Sequence, residues 1–75
     1  MVFEHFPIIQ IAEQLNLNLA TLQQELESGK INVKNIHRTL RQNFPHNDEK
    51  IFAVVTIALK LRFTPPLSNL NLKGH

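Results

Sequence analysis

Apolar residues recur with a helical period along most of the chain. Pro7 suits the first turn of a helix, where its missing N–H is not needed. After it, Ile8, Ile9, Ile11, Ala12 and Leu15 fall at i, i+1, i+3, i+4 and i+7, which is one buried face. Asn16 can take the left-handed conformation that ends a helix. Asn18 is an N-cap residue for a second helix whose inner face is Leu19, Leu22 and Leu26. Ser28-Gly29 ends that helix, with Gly29 as the favoured residue just past a terminus. A third helix is expected after Asn32, with Val33, Ile36, Leu40 and Phe44 as its apolar stripe and Pro45 as its stop.

The fourth segment needs a decision. Ile51 to Ile57 is uncharged and rich in β-branched residues, so alone it would suit a strand. The apolar run continues through Ala58, Leu59 and Leu61, which is long for a strand. Asn47-Asp48-Glu49 at one end and Lys60 and Arg62 at the other complement a helix macrodipole. Both arguments favour a helix. Thr64-Pro65-Pro66 then breaks it, and a tail carrying Leu67, Leu70 and Leu72 follows. The pattern predicts an all-α fold, a compact bundle of four short helices over residues 1–63 with an extended C-terminal tail over 64–75.

Length changes how that bundle is read. A chain of 75 residues buries only about 60% of the surface its unfolded form exposes, so its core is small. Domains of this size often rely on disulfides, a metal or a partner subunit. The chain has no cysteine, and His5, His37, His46 and His75 lack a ligand spacing. No metal or cofactor is expected, and a partner subunit is the remaining device. With 43% apolar and 19% charged residues, the chain is too hydrophobic for disorder throughout. No run approaches the ~20 apolar residues of a membrane span. The first charged side chain is Glu4, unlike the basic start of a secretory signal. A cytoplasmic protein without membrane contact is expected.

Charge is strongly polarised. Residues 1–29 hold four Glu and no Lys or Arg, for −4; residues 30–75 hold eight Lys and Arg against Asp48 and Glu49, for +6. Such asymmetry points to a charged partner or a second copy. On a helical third segment, Lys34, Arg38 and Arg41 would share one side at i, i+4 and i+7, with Lys30 in the preceding turn and Asn35 and Gln42 on the adjoining face. Cations of that kind contact phosphates, and side-chain amides read base edges. The bland alternative is a solvated helix face. No Asp or Glu interrupts residues 30–47, which favours the sharper reading.

The stretch Ile11-Ala12-Glu13-Gln14-Leu15-Asn16-Leu17-Asn18-Leu19-Ala20-Thr21-Leu22 resembles the helix-turn-helix of bacterial DNA-binding regulators. The resemblance runs from Gln10 to Glu25 and implies a DNA-binding regulator with the second helix as reader. That helix carries Gln23, Gln24, Glu25 and Glu27 and no cation, which suits phosphate poorly. A second framing takes residues 28–32 as the turn. The cationic third helix then becomes the reader, with Lys30, Lys34, Asn35, Arg38, Arg41 and Gln42 as nucleic-acid contacts.

Other chemistry is faint. His37 is expected to be half-buried beside the apolar stripe, and His46 to lie in a loop. Neither Ser28 nor Ser68 sits in a G-x-S-x-G context, and Gly29 and Gly74 do not form a phosphate loop. No enzymatic activity and no small-molecule substrate are expected. The fourth helix is apolar nearly all round except for Glu49, Thr56 and Lys60, so it must be surrounded. Its neighbours are either the other helices or a second chain. A homodimer is expected through Ile51, Val54, Val55, Ala58, Leu61, Leu67 and Leu70. The sequence therefore predicts a small nucleic-acid-binding regulator with DNA or RNA as partner. The rival reading is a non-enzymatic protein-interaction module: an adaptor, an inhibitor or a subunit of an assembly.

Overall fold

Helices form where caps and apolar period agree. The computed structural model describes residues 2–64. It contains a 3-10 turn, η1 (Val2–His5), and four α-helices: α1 (Ile8–Gln14), α2 (Leu19–Ser28), α3 (Leu40–Asn43) and α4 (Asp48–Phe63). No strand occurs among the described residues, and the fold is the all-α bundle that the pattern predicts. The C-terminal tail lies outside the described residues, as do Leu67 and Leu70.

The joints follow local chemistry. Asn16 has φ 57°, so the chain leaves α1 through the left-handed region that Asn tolerates. Asn18 caps α2 by accepting the Thr21 N–H at 3.0 Å. Gly29 follows α2 with an ordinary φ of −84°, and the left-handed residue there is Lys30, at φ 61°. The Gly29 backbone passes close to α4, where a Cβ would meet Ile57 Cδ1 at 3.4 Å. Asn47 caps α4 through the Lys50 N–H at 3.0 Å.

One core joins the elements. Ile8, Ile11 and Ala12 of α1, Leu22 and Leu26 of α2, Ile31, Leu40, Phe44, and Ile51, Val54, Val55 and Ala58 of α4 are buried together. Helix α2 packs on α4, α1 packs on α2, and α3 packs on η1. Phe3 and Phe6 brace the η1 turn edge to face, with centroids 5.6 Å apart.

The third helix differs from its predicted span. Residues 31–39 are not helical, and α3 is a single turn starting at Leu40. The segment's backbone bonds go elsewhere. Ile9 N–H donates to the Ile36 carbonyl at 3.2 Å, Leu40 N–H donates to the Phe6 carbonyl at 3.0 Å, and Pro7 and Thr39 form an antiparallel bridge. Val33, Ile36, Thr39 and two Asn give the stretch low helix propensity, so the cost of leaving the helix is small. Thr39 accepts the Gln42 N–H while the Gln42 side chain accepts the Thr39 N–H, a capping box that starts α3.

Candidate nucleic-acid interface

Without a third helix over residues 33–44, the basic stripe does not assemble. Lys34 and Arg38 lie in the irregular segment, and Arg41 alone of the three is helical. Arg41 is also committed within the molecule. Its Nε and Nη2 reach Glu4 Oε1 at 2.9 and 2.8 Å, and its Nη1 reaches Asp48 Oδ1 at 2.7 Å and the Pro45 carbonyl at 3.3 Å. The side chain therefore staples η1, α3 and the start of α4.

The side-chain oxygens of the two candidate amide readers are engaged as well. Asn35 Oδ1 accepts the His37 N–H at 2.9 Å, which makes a local turn. Gln42 Oε1 accepts the Thr39 N–H at 3.0 Å in the capping box. The expected outward role of Arg41 is corrected on this ground, while Asn35 and Gln42 stay exposed with their oxygens engaged. His37 is exposed, against the half-buried position expected, because no helix wraps it beside a core stripe.

Three candidates remain open. Lys30, Lys34 and Arg38 are exposed, and none has a carboxylate partner among the described residues. Lys34 shares a shallow depression with Lys50 and His46. Lys50 also sits with its Nζ 5.9 Å from the Phe44 ring centroid, a cation–π distance. Sequence reasoning missed Lys50 and His46 here. Their chain positions carry no periodic link to Lys34, and only the irregular path of residues 31–39 brings them together.

The α1–α2 pair is a helix, a tight turn and a helix. With Leu22 and Leu26 buried, the outward strip of α2 is Ala20, Thr21, Gln24 and Ser28, all exposed. Its acids, Glu25 and Glu27, flank this strip. The alternative framing, with a reader helix after residues 28–32, is overturned by the irregular path of 31–39.

The expected dimer residues are also corrected. Ile51, Val54, Val55 and Ala58 are buried inside the single chain, in one core with residues of α1, α2 and α3. Leu61 is half-buried. The large apolar side chains that α4 leaves in solvent are Phe52 and Phe63, at 62% and 71% exposure.

The Arg41–Glu4 contact makes a pH prediction. The hydrogen bond from Arg41 holds the Glu4 carboxyl below its ordinary value and raises the guanidinium correspondingly. A depressed folded-state value stabilises the fold above the unfolded carboxylate pKa of about 4.3. That contribution is lost as pH falls through the lower folded value. Glu4→Gln should lower the melting temperature at neutral pH and should flatten its decline below about pH 4.5. Thermal melts across pH 2.5–7 check this; parallel curves for the two proteins would remove the contact from acid stability.

Among the described residues, no group of three His, Cys, Asp or Glu could hold a metal ion. No described helix is long and apolar enough to cross a membrane. No protein-family model matches the chain, and no solved structure matches it. The chain is similar to an uncharacterized protein of Haemophilus influenzae, with 66% identity over 67 residues. The match covers 89% of this chain and 52% of that protein, so the chain spans about half the length of the curated relative it matches.

Proposed function

We propose that the chain is a small, non-enzymatic nucleic-acid-binding regulator acting in the cytoplasm. Lys30, Lys34, Arg38 and Lys50 contact phosphates, and the outward strip of α2 offers Thr21 and Gln24 to base edges. The observation that carries this reading is the meeting of Lys34 and Lys50 in one depression, each without a carboxylate partner among the described residues. Cations that a fold leaves unpaired and gathers from separate segments suit a polyanion. Glu25 and Glu27 lie to the sides of the strip and keep α2 from binding phosphate indiscriminately.

Fluorescence anisotropy with duplex DNA and RNA at several salt concentrations tests this. Replacing Lys30, Lys34 and Arg38 together by Ala should reduce the salt slope by about 2–3 units, because each phosphate contact contributes about 0.9. Thr21→Ala with Gln24→Ala should narrow the difference between sequences and leave that slope unchanged. No binding at ~50 mM salt, or an unaltered slope in the triple variant, overturns the reading.

A second reading rests on a different observation, the exposure of Phe52 and Phe63 on α4. Large apolar groups left together in water mark protein contacts. In this reading α4 makes the chain an interaction module, with or without nucleic acid. A photo-reactive phenylalanine at position 52 should form adducts with polypeptide in cells. Adducts confined to nucleic acid, or none, would reject it.

A further inference from the structure

The outer face of α4 has a second regularity. Glu49, Phe52, Thr56, Leu59 and Phe63 follow one another at intervals of three, four, three and four residues. That spacing is the seam of a helix that packs lengthwise against another helix. Phe52 and Phe63 are separated by three full turns and differ by only about 20° around the axis. The core side of α4, through Ile51, Val54, Val55 and Ala58, is turned about 130° away around the axis. Leu59 packs partly against the core, so the seam starts at the core's edge and turns away from it through Phe52, Thr56 and Phe63.

Its one uncharged polar member is prepared for burial. Thr56 Oγ1 donates to the Phe52 carbonyl at 2.8 Å, so the hydroxyl needs no partner from across the seam and presents its methyl group. An unsatisfied hydroxyl at that place would oppose association.

The charges select the occupant. Glu49 stands at the start of the seam and Lys60 flanks it near the end, both exposed and neither paired with an opposite charge among the described residues. In an antiparallel pair of α4 helices, Glu49 of one chain comes within a helical turn of Lys60 of the other, twice by symmetry. A parallel pair would set Glu49 against its own copy and align the macrodipoles unfavourably. The surface is thus complementary to itself in one orientation.

From this we infer that the chain associates with a second copy through α4, antiparallel, about a two-fold axis near Thr56. The inference deepens the second reading above, since it names the partner of the Phe52–Phe63 face. It also relocates the dimer surface from the buried side of α4 to its outer side.

Sedimentation of the full chain over a range of concentrations tests the pairing. The wild type should pass from monomer to dimer as concentration rises. Phe52→Ser with Phe63→Ser should stay monomeric with unchanged helical circular dichroism, since both residues are exposed in the single chain. Glu49→Lys or Lys60→Glu alone should weaken the dimer about tenfold, and the two together should restore it to within about threefold. The chain has no cysteine, so Thr56→Cys provides a site without background. Mild oxidation should link two such chains rapidly, whereas Ser28→Cys on α2 should not link. A monomer at all concentrations up to about 0.5 mM, which places any Kd above the range of specific pairs, overturns the inference. So does a dimer in which the combined charge swap fails to rescue. Polypeptide adducts from position 52 of a monomeric protein would leave the interaction reading standing with a different partner. The absence of both would remove the two together.

Discussion

Leu40→Ala should cost about 2–5 kcal/mol and leave much of the protein unfolded at 37 °C. A chain of 75 residues is stable by about 4–11 kcal/mol at 0.05–0.15 kcal/mol per residue, so one such loss is most or all of the margin. Leu40 is chosen because its side chain is fully buried, at 0% exposure, and because it begins the one-turn helix α3. Its N–H donates to the Phe6 carbonyl, so the same residue seals the core and ties the middle of the chain to its start. A cavity there cannot collapse easily, because α3 is pinned to η1 on one side and followed by the α4 cap on the other. Urea unfolding monitored by circular dichroism measures the loss, with Gln24→Ala on the exposed strip as a control expected within about 0.5 kcal/mol of wild type. A loss below about 1 kcal/mol for Leu40→Ala would mean that the core repacks and that α3 is not its keystone.

Three of the four α-helices were legible because their signals are local. Asn16, Asn18 and Asn47 act within three or four residues of themselves, and the period of α1, α2 and α4 is set by positions within each helix. The third segment misled for a physical reason. Val33, Ile36, Leu40 and Phe44 do all pack on the interior, so their helical spacing is real. Burial of that spacing is achieved here by an irregular run that borrows hydrogen bonds from residues 6–9. A period reports which side chains go inside and does not report where the backbone finds its partners. One cue did lie in the sequence: Thr39-Leu40-Arg41-Gln42 has the form of a capping box and marks the true start of α3.

The candidate site was less legible than the fold. The pairing of Arg41 with Glu4 joins residues far apart in the chain, and nothing in the local pattern announces it. The depression shared by Lys34 and Lys50 has the same character. On α4 the difficulty is different. A helix apolar nearly all round offers no contrast to say which side turns inward, so the pattern suits Ile51, Val54, Val55 and Ala58 to a core and to a dimer contact alike. Residue shape decides it. The β-branched and small side chains Ile51, Val54, Val55 and Ala58 lie in the core, and the two phenylalanines are left outside. Charge polarity survives as a property of the molecule, but the surface it creates is discontinuous. Arg41 is spent on the fold, and the open cations are scattered over a turn (Lys30), an irregular run (Lys34, Arg38) and α4 (Lys50).

That segment is held by one side chain, and Asn43→Asp should break the hold. Asn43 Nδ2 donates to the carbonyls of Asn35, Arg38 and Thr39 at 2.9, 3.1 and 3.0 Å, and its Oδ1 accepts the Asn35 N–H at 3.0 Å. The aspartate is the same size but has no donor when ionised, so a carboxylate oxygen would face three carbonyl oxygens. The expected loss is about 2–4 kcal/mol at neutral pH, from the missing bonds and the repulsion together. Asn43→Ala should cost less, about 1–2 kcal/mol, because water can reach carbonyls that the shorter side chain leaves free. The new carboxyl has a raised value in the folded state, since its charged form is disfavoured there. The penalty is therefore full above that folded value and fades as pH falls toward the ordinary carboxylate value of about 3.9, where the acid can donate one bond. Arg38 lies inside the clasp and Lys34 beside it. The aspartate variant should therefore also lose salt-dependent nucleic-acid binding at neutral pH, even at temperatures where α2 and α4 remain folded. Hydrogen exchange at the amides of residues 35–40 and anisotropy on the same samples would separate the two effects. Amides that stay protected while binding falls would mean that the clasp does not set the positions of the cations.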